Sequence, residues 1–319
     1  MKKLIITGST GFVGSHLLEY LSSLKKYQIF GTYLTDESRN KLSHLEKETS
    51  FVKLDLSSKE ETEKIIKDIK PDAVFHLAAF TSPAQSFKAP FETITNNVSA
   101  ELNILEALRK ENLLNTKVLI ISSAEIYGLV GKADLPISEK TPFKPTSPYA
   151  VSKIAQDFLG LQYFLSYKIP IITARPFNHI GPRQSEGFVV SDFSKKIVEI
   201  EKGKRSNVLE VGNLEAKRDF TDVRDIVKAY LLLVEKGIFG EAYNIGFGES
   251  RKISEILDIL LSFSSAKVKV EVNKELLRPS DNPDLVCDST KLRELTDWKP
   301  EIPIEKTLKD ALDYWRNII

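Results

Sequence analysis

Residues 3–21, KLIITGSTGFVGSHLLEYL, decide the fold. A short β-branched run ends in glycines at positions 8, 11 and 14, and a helix then opens and runs toward Leu24. Glycine permits a tight turn, lets backbone approach a pyrophosphate closely and lets the helix lie against its sheet, while the first helical turn offers unpaired amide donors. The glycines recur every third residue and do not follow G-x-G-x-x-G. An isolated turn of this kind is as often structural as ligand-binding, but its place directly after a first strand favours binding of a dinucleotide.

Further strands begin at Gln28 (QIFGTY), Ser50 (SFVKLD), Asp72 (DAVFHLA), Lys117 (KVLIIS) and Ile169 (IPIITA). Helical spacing runs through residues 90–108 and 149–167, and Ser58 with Glu61 has the form of a capping box for a helix ending near Ile69. Most strands are continuously apolar, as expected where helices cover both faces. The alternation predicts an α/β fold, a Rossmann-type doubly wound parallel sheet. After Ala174 come a loop rich in Asn, Gly and Pro, a helix near 192–202 and a strand at 208–211. A helix at 223–235 and a strand at 242–245 return to the sheet, and the rest reads as irregular. The expected division is a dinucleotide-binding domain of residues 1–175 and 221–245, and a smaller, discontinuous C-terminal substrate-binding domain of residues 176–220 and 246–319. No internal repeat or low-complexity tract interrupts it.

The 319 residues carry 45 Lys and Arg against 44 Asp and Glu, a formal charge of +1. That balance offers no overall field for nucleic acid or an anionic membrane, so phosphate groups must be met by local charge. The start, MKKLIITGSTG, is too short in apolar residues for a secretory core, and no later run suits a membrane span. The lone Cys287 cannot form an internal disulfide, and four scattered histidines lack metal-ligand spacing. These features predict a cytoplasmic protein without a metal.

An acidic residue ending the second strand would mark NAD(H) by binding the ribose 2′-hydroxyl. Tyr33 stands there instead, which favours NADP(H) and leaves NAD(H) open; Arg39 is a distant partner for a 2′-phosphate, and Asp36 lies close enough to move into the acidic role. Asp55 is placed to meet the adenine, or else to initiate a helix.

Tyr149 and Lys153, in YAVSK, share one face near a helix start. An ammonium there can stabilise tyrosinate and lower the phenol pKa, making Tyr149 a general acid or base. Ser123, ending strand five, adds a hydroxyl for the same substrate oxygen. Any Tyr-x-x-x-Lys alone is a weak pattern. His76 fits a packed strand residue better than a catalyst, and Asn97 a brace between helix and strand.

Together, the glycine turn, HLAA at 76–79, Ser123 and the Tyr149/Lys153 pair resemble, in order and interval, the extended short-chain dehydrogenases/reductases. Three segments, RPFNHIGPRQSEGFVVSDF from Arg175, VGNLEAKRDFTDVRDIV from Val211 and LRPSDNP from Leu277, resemble the GDP-4-dehydro-6-deoxy-D-mannose reductases of that class, and GNLEAKRD is shared in form with GDP-mannose 4,6-dehydratases. The resemblance implies cofactor contacts from Gly8, Thr10, Gly11, Phe12, Val13, Gly14, Tyr33, Asp55, Leu56, Leu77, Ala78, Ala79, Tyr149 and Lys153. It implies substrate contacts from Thr81, Glu125, Asn178, Val189, Gly212, Arg218 and Arg278, the two arginines neutralising a diphosphate. The implied reaction is hydride transfer from NAD(P)H to carbon 4 of a GDP-linked 4-keto-6-deoxy sugar, giving GDP-D-rhamnose, with Ser123, Tyr149 and Lys153 as the catalytic set. Glu125 also fits the proton chemistry of a 4,6-dehydratase, so a dehydratase or epimerase is the alternative; a non-catalytic dinucleotide-binding regulator is the alternative of another class. The resemblance further implies a homodimer through the Tyr149 helix and the helix before it. Two departures stand out: Tyr33 and Leu34 lack the basic residue of many NADP-binding relatives, and Arg183 holds a loop position often taken by glycine.

Overall fold

The computed structural model describes residues 1–276 and 282–319. Its first half runs β1 (Lys2–Thr7), α1 (Phe12–Ser23), β2 (Tyr27–Tyr33), α2 (Asp36–Asn40), β3 (Thr49–Lys53), α3 (Lys59–Ile69), β4 (Ala73–His76), α4 (Pro83–Ser86), α5 (Pro90–Lys110), β5 (Lys117–Ile121), α6 (Pro148–Tyr167) and β6 (Ile171–Pro176). There follow β7 (Asn178–Ile180), α7 (Val189–Glu201), β8 (Val208–Val211), β9 (Lys217–Asp222), α8 (Val223–Lys236) and β10 (Ala242–Ile245). The last stretch holds β11 (Ser250–Lys252), α9 (Ile253–Ser262), β12 (Lys269–Val272), β13 (Asp284–Leu285), α10 (Thr290–Thr296) and α11 (Ile304–Ile318).

Seven parallel strands form one sheet in the order β10-β6-β5-β4-β1-β2-β3. The order reverses between β1 and β4, and there a crevice opens beyond the carboxyl ends of the strands. Successive residues of each strand serve opposite faces. Ile6, Phe75 and Leu119 pack under α1 and α8, whereas Ile5, Val74 and Ile120 pack under α3, α5 and α6. This two-sided burial is why the strands read as unbroken apolar runs.

A second core lies between α7, α9 and α11 and the strands β8 and β9. The expectation that residues after 245 are irregular is therefore corrected. The buried residues of α11, Ile304, Leu308, Ala311, Leu312 and Trp315, fall on one helical face, a period present in the sequence. Trp298 packs back into the first core, its Nε1 donating to Asp225 O at 3.0 Å, while Asp225 Oδ2 accepts from the amides of Glu301 and Ile302, each at 2.8 Å. The capping box at α3 is half formed: Ser58 Oγ accepts from Glu61 N (3.3 Å), but the Glu61 carboxylate turns to Asp55 N (3.3 Å). Among the described residues, no helix is long and apolar enough to cross a membrane.

Candidate active site

A cleft of about 1430 Å³ runs from the glycine turn, past the ends of β4 and β5, to β9. It exceeds the range of about 300–1,000 Å³ usual for one small ligand, so a dinucleotide and a second nucleotide fit its size. One wall is Gly8, Thr10, Gly11, Phe12, Val13 and Gly14. Gly8 has φ +64, and a Cβ on Gly14 would fall 2.2 Å from Gly8 O, so the turn closes only without side chains at these two positions. Gly11 caps α1 with no side-chain bond, which leaves the first amides of that twelve-residue helix facing the cleft. This cradle fits a dinucleotide pyrophosphate.

Farther along, the cleft is lined by Tyr33, Lys41, Asp55 and Leu56. The Arg39 guanidinium lies 6.0 Å from the Tyr33 ring centre and donates to Glu46 at 2.8 Å. Asp36 is held by Lys53 at 3.1 Å and does not line the cleft, so it does not take the acidic role open to it from sequence. Asp55 accepts from the amide (2.9 Å) and hydroxyl (2.7 Å) of Ser57, forming a turn after β3. Leu77, Ala78, Ala79 and Thr81 continue the wall.

At the middle stand Ser123, Glu125, Tyr149 and Lys153. Ser147 caps α6 by accepting from Ala150 N (3.1 Å), which sets Tyr149 and Lys153 in the first turns. The Ser123 hydroxyl stands beside the Tyr149 phenol, close enough to act on it. Burial raises the Tyr149 phenol above its ordinary pKa; the Ser123 hydroxyl works downward and the Glu125 carboxylate adds an upward push. The expected lowering by Lys153 is thus corrected. Lys153 Nζ lies 5.9 Å from the Tyr149 ring centre and spends its donors on Ile121 O and Gln156 Oε1, both at 2.8 Å. Burial brings Lys153 itself down to about 8, opposed by the charge of Glu101.

Behind this set, Asn97 braces the loop after β4, accepting from Phe80 N (2.7 Å) and donating to Phe80 O (3.1 Å) and Ser152 Oγ (2.9 Å). His76 is buried against Thr7 Oγ1 at 2.9 Å, and burial, then the Lys153 charge, lowers its pKa to about 3. Both are internal braces, as their sequence contexts predict.

The far end carries Asn178, Val189, Gly212 and Arg218. Arg218 Nη1 donates to Lys217 O (2.7 Å) and Asn282 O (2.8 Å). A Cβ at Gly212 would lie 2.8 Å from Leu276 O, so packing alone accounts for glycine there. Arg278 lies outside the described residues. The remaining predicted site residues all face this one cleft.

Three participants lie outside the set of expected site residues. Arg183, also on the cleft wall, has φ 72, the left-handed backbone that glycine favours, and binds Glu19 and His16 on α1. Gln156 links Lys153, Asn97 and His76, and Lys41 reaches the cleft from beyond α2. Arg183 meets α1, and Gln156 meets Asn97 and His76, by chain folding over long separations, which no local spacing reports.

Residues 5–311 match the family described as GDP-mannose 4,6 dehydratase. The chain is 34% identical over 316 residues to GDP-6-deoxy-D-mannose reductase of Pseudomonas aeruginosa, covering 99% of this chain and 98% of that one. A structure of RMD from Pseudomonas aeruginosa complexed with NADPH superposes with a TM-score of 0.84 at 33% identity, covering 100% of both chains. A dTDP-glucose 4,6-dehydratase from Bacillus anthracis in complex with NAD gives 0.83 at 25% identity, covering 99% of this chain and 97% of the other. With its parallel sheet, glycine cradle and Ser-Tyr-Lys set, the chain belongs to the GDP-mannose 4,6 dehydratase family, NAD(P)-dependent enzymes of the extended short-chain dehydrogenase/reductase class.

Proposed function

We propose that this chain reduces the 4-keto group of GDP-4-dehydro-6-deoxy-D-mannose to GDP-D-rhamnose with NAD(P)H. The observation that carries this reading is the meeting of Ser123, Tyr149 and Lys153 midway along a cleft reaching from the glycine cradle to Arg218. A bound reduced nicotinamide supplies hydride. Tyr149, kept as a phenol by burial, gives its proton to the sugar oxygen as negative charge gathers there. Ser123 holds the same oxygen by a hydrogen bond, and Lys153 binds the nicotinamide ribose. Asn178, Val189, Gly212 and Arg218, with Arg278 by resemblance, hold the GDP end, and Thr81 and Glu125 the sugar. Residues 1–175 and 221–245 carry the dinucleotide; residues 176–220 and 246–319 carry the nucleotide sugar.

NADP(H) is favoured over NAD(H). The cleft wall at Tyr33 has Lys41 in reach and Arg39 stacked behind, while Asp36 is committed to Lys53. A homodimer through α5 and α6 is supported by a row of exposed apolar residues on α6, Val151, Phe158 and Leu165, with Phe91 and Leu102 on α5.

A second reading, a 4,6-dehydratase, is favoured by Glu125 on the cleft wall, close enough for its charge to act on Tyr149. A silent regulator has no use for the Ser123–Tyr149 pair. Incubation with GDP-mannose alone, and separately with the 4-keto sugar plus NADPH, distinguishes them by product analysis. Net NADPH oxidation with the keto sugar alone is expected; keto sugar formed from GDP-mannose without added reductant would overturn the reductase reading.

A further inference from the structure

Behind the catalytic set, α5 and α6 lie side by side, and their cross-bonds locate a carboxyl group that the proposed mechanism does not use. Asn97 Nδ2 donates to Ser152 Oγ (2.9 Å) and Gln156 Nε2 to Asn97 O (3.0 Å), so the turn of α5 starting at Asn97 faces residues 152–156 of α6. Glu101 is one turn beyond Asn97 on the same face, and 1% exposed. Neither of its carboxyl oxygens has a hydrogen-bond partner. The Gln156 amide reaches toward this carboxyl and draws its pKa down, but its Nε2 donates to Asn97 O and lies 3.4 Å from His76 Nε2, and its Oε1 accepts from Lys153 Nζ. A buried carboxyl left this way is costly to fold and calls for an explanation.

The titratable and charged groups facing Glu101 are Lys153 and Asp157 on α6, with His76 on β4 behind Gln156. Asp157 is held by two hydrogen bonds from Arg175 on β6, at 2.8 Å and 3.1 Å. His76 stays neutral in its buried place against Thr7. Among these described groups, Glu101 is thus the uncommitted carboxyl and Lys153 its cation.

We propose that Glu101 is a positioning residue that keeps Lys153 protonated above neutral pH, acting across the buried seam between α5 and α6; this deepens, and rests on, the role given to Lys153 above. Burial raises the Glu101 carboxyl well above its ordinary pKa and lowers the Lys153 ammonium, and their attraction works against both shifts. The two groups titrate as a unit. In the charged pair the Glu101 carboxylate holds the Lys153 ammonium, and it is this attraction that a neutral side chain at position 101 removes.

The test titrates NADPH by fluorescence into the full chain and into Glu101→Gln and Glu101→Met, from about pH 6 to about pH 10, with Tm measured alongside. NADPH binding engages Lys153 through the ribose and needs no knowledge of the sugar. Both variants should lose NADPH affinity at a pH lower than the parent chain by about one unit or more, with Tm near neutral pH kept or raised. Affinity profiles that superimpose on the parent, whatever Tm does, overturn the proposal. So does failure of both variants to fold, which would make Glu101 a packing residue. If the parent chain binds no NADPH, Lys153 has no such role and the dinucleotide reading falls as well; failure of the proposal alone leaves parental NADPH binding intact.

Discussion

Arg183, on the loop after β7, grips the carboxylate of Glu19 on α1 with two hydrogen bonds, at 2.6 Å and 2.7 Å. Its guanidinium also meets His16 Nδ1 at 2.8 Å; burial, then the Arg183 charge, lowers His16 to about 4, so the ring stays neutral. The helix that opens at the glycine turn is thereby tied to the substrate side. The backbone of Arg183 is left-handed, a conformation that costs an L-residue about 1–2 kcal/mol. Arg183→Gly should therefore be more stable than Arg183→Ala by about 1 kcal/mol in urea unfolding, although both lose the grip on Glu19. Equal stability would show that no strain is stored there.

The phenol of Tyr149 is the proposed proton donor, and Ser123 stands beside it. Tyr149→Phe should lower kcat for the keto sugar about 10²- to 10⁴-fold while the Kd for NADPH changes only a few-fold. Steady-state turnover and fluorescence titration read the two effects separately. A variant with full turnover would remove Tyr149 from the mechanism.

Lys41 lines the same cleft as Tyr33, and the Arg39 guanidinium lies over the Tyr33 ring. Replacing both with alanine should reduce the preference for NADPH over NADH by about tenfold, a difference of about 1.4 kcal/mol. Asp36→Ala should leave the preference unchanged, because that carboxylate is turned to Lys53. Dissociation constants for the two nucleotides test both statements, and an unchanged ratio in the double variant would place 2′-phosphate recognition elsewhere.

His76 connects the site to acid stability. Its folded pKa, about 3, lies below the ordinary imidazole value of about 6.5. The unfolded chain therefore takes up a proton as pH falls below about 6.5 while the folded chain does not, and the stability present above that pH drains away down to about pH 3. The slope from this one group is at most about 1.4 kcal/mol per pH unit. His76→Gln should show a smaller drop in Tm between pH 7 and pH 4.5 than the parent chain; identical drops would assign the acid sensitivity to other groups.

The sheet was legible because its physics is local. Strands buried on both faces must be continuously apolar, and glycine is forced at position 14 by backbone contacts within a few residues and favoured at position 8 by its own left-handed backbone. The helices and strands after residue 245 were also encoded, as the stripe from Ile304 to Trp315 demonstrates, but they alternate with short irregular links that mask the period. The catalytic set was legible as a pattern of types and intervals. Its electrostatics were not: the state of Tyr149 follows from burial at the bottom of a cleft, and Glu101 reads in sequence as one more polar residue of α5. The Arg183–Glu19 tie joins residues 164 positions apart, a separation at which no sequence period exists.

The last strand of the main sheet, β10, lies beside β6 only after the chain has left to build the first part of the second core, and α8 covers Leu119, Ile172 and Ala174 after that same excursion. During synthesis, a nascent chain ending before Val223 would leave the part of that sheet face beyond α1 uncovered, with Trp298 not yet made. No contiguous N-terminal piece of the gene therefore encodes a free-standing nucleotide module. Excising one would require a circular permutation or a graft of α8 and β10, and truncations from the C-terminus should yield insoluble material well before they reach the glycine turn.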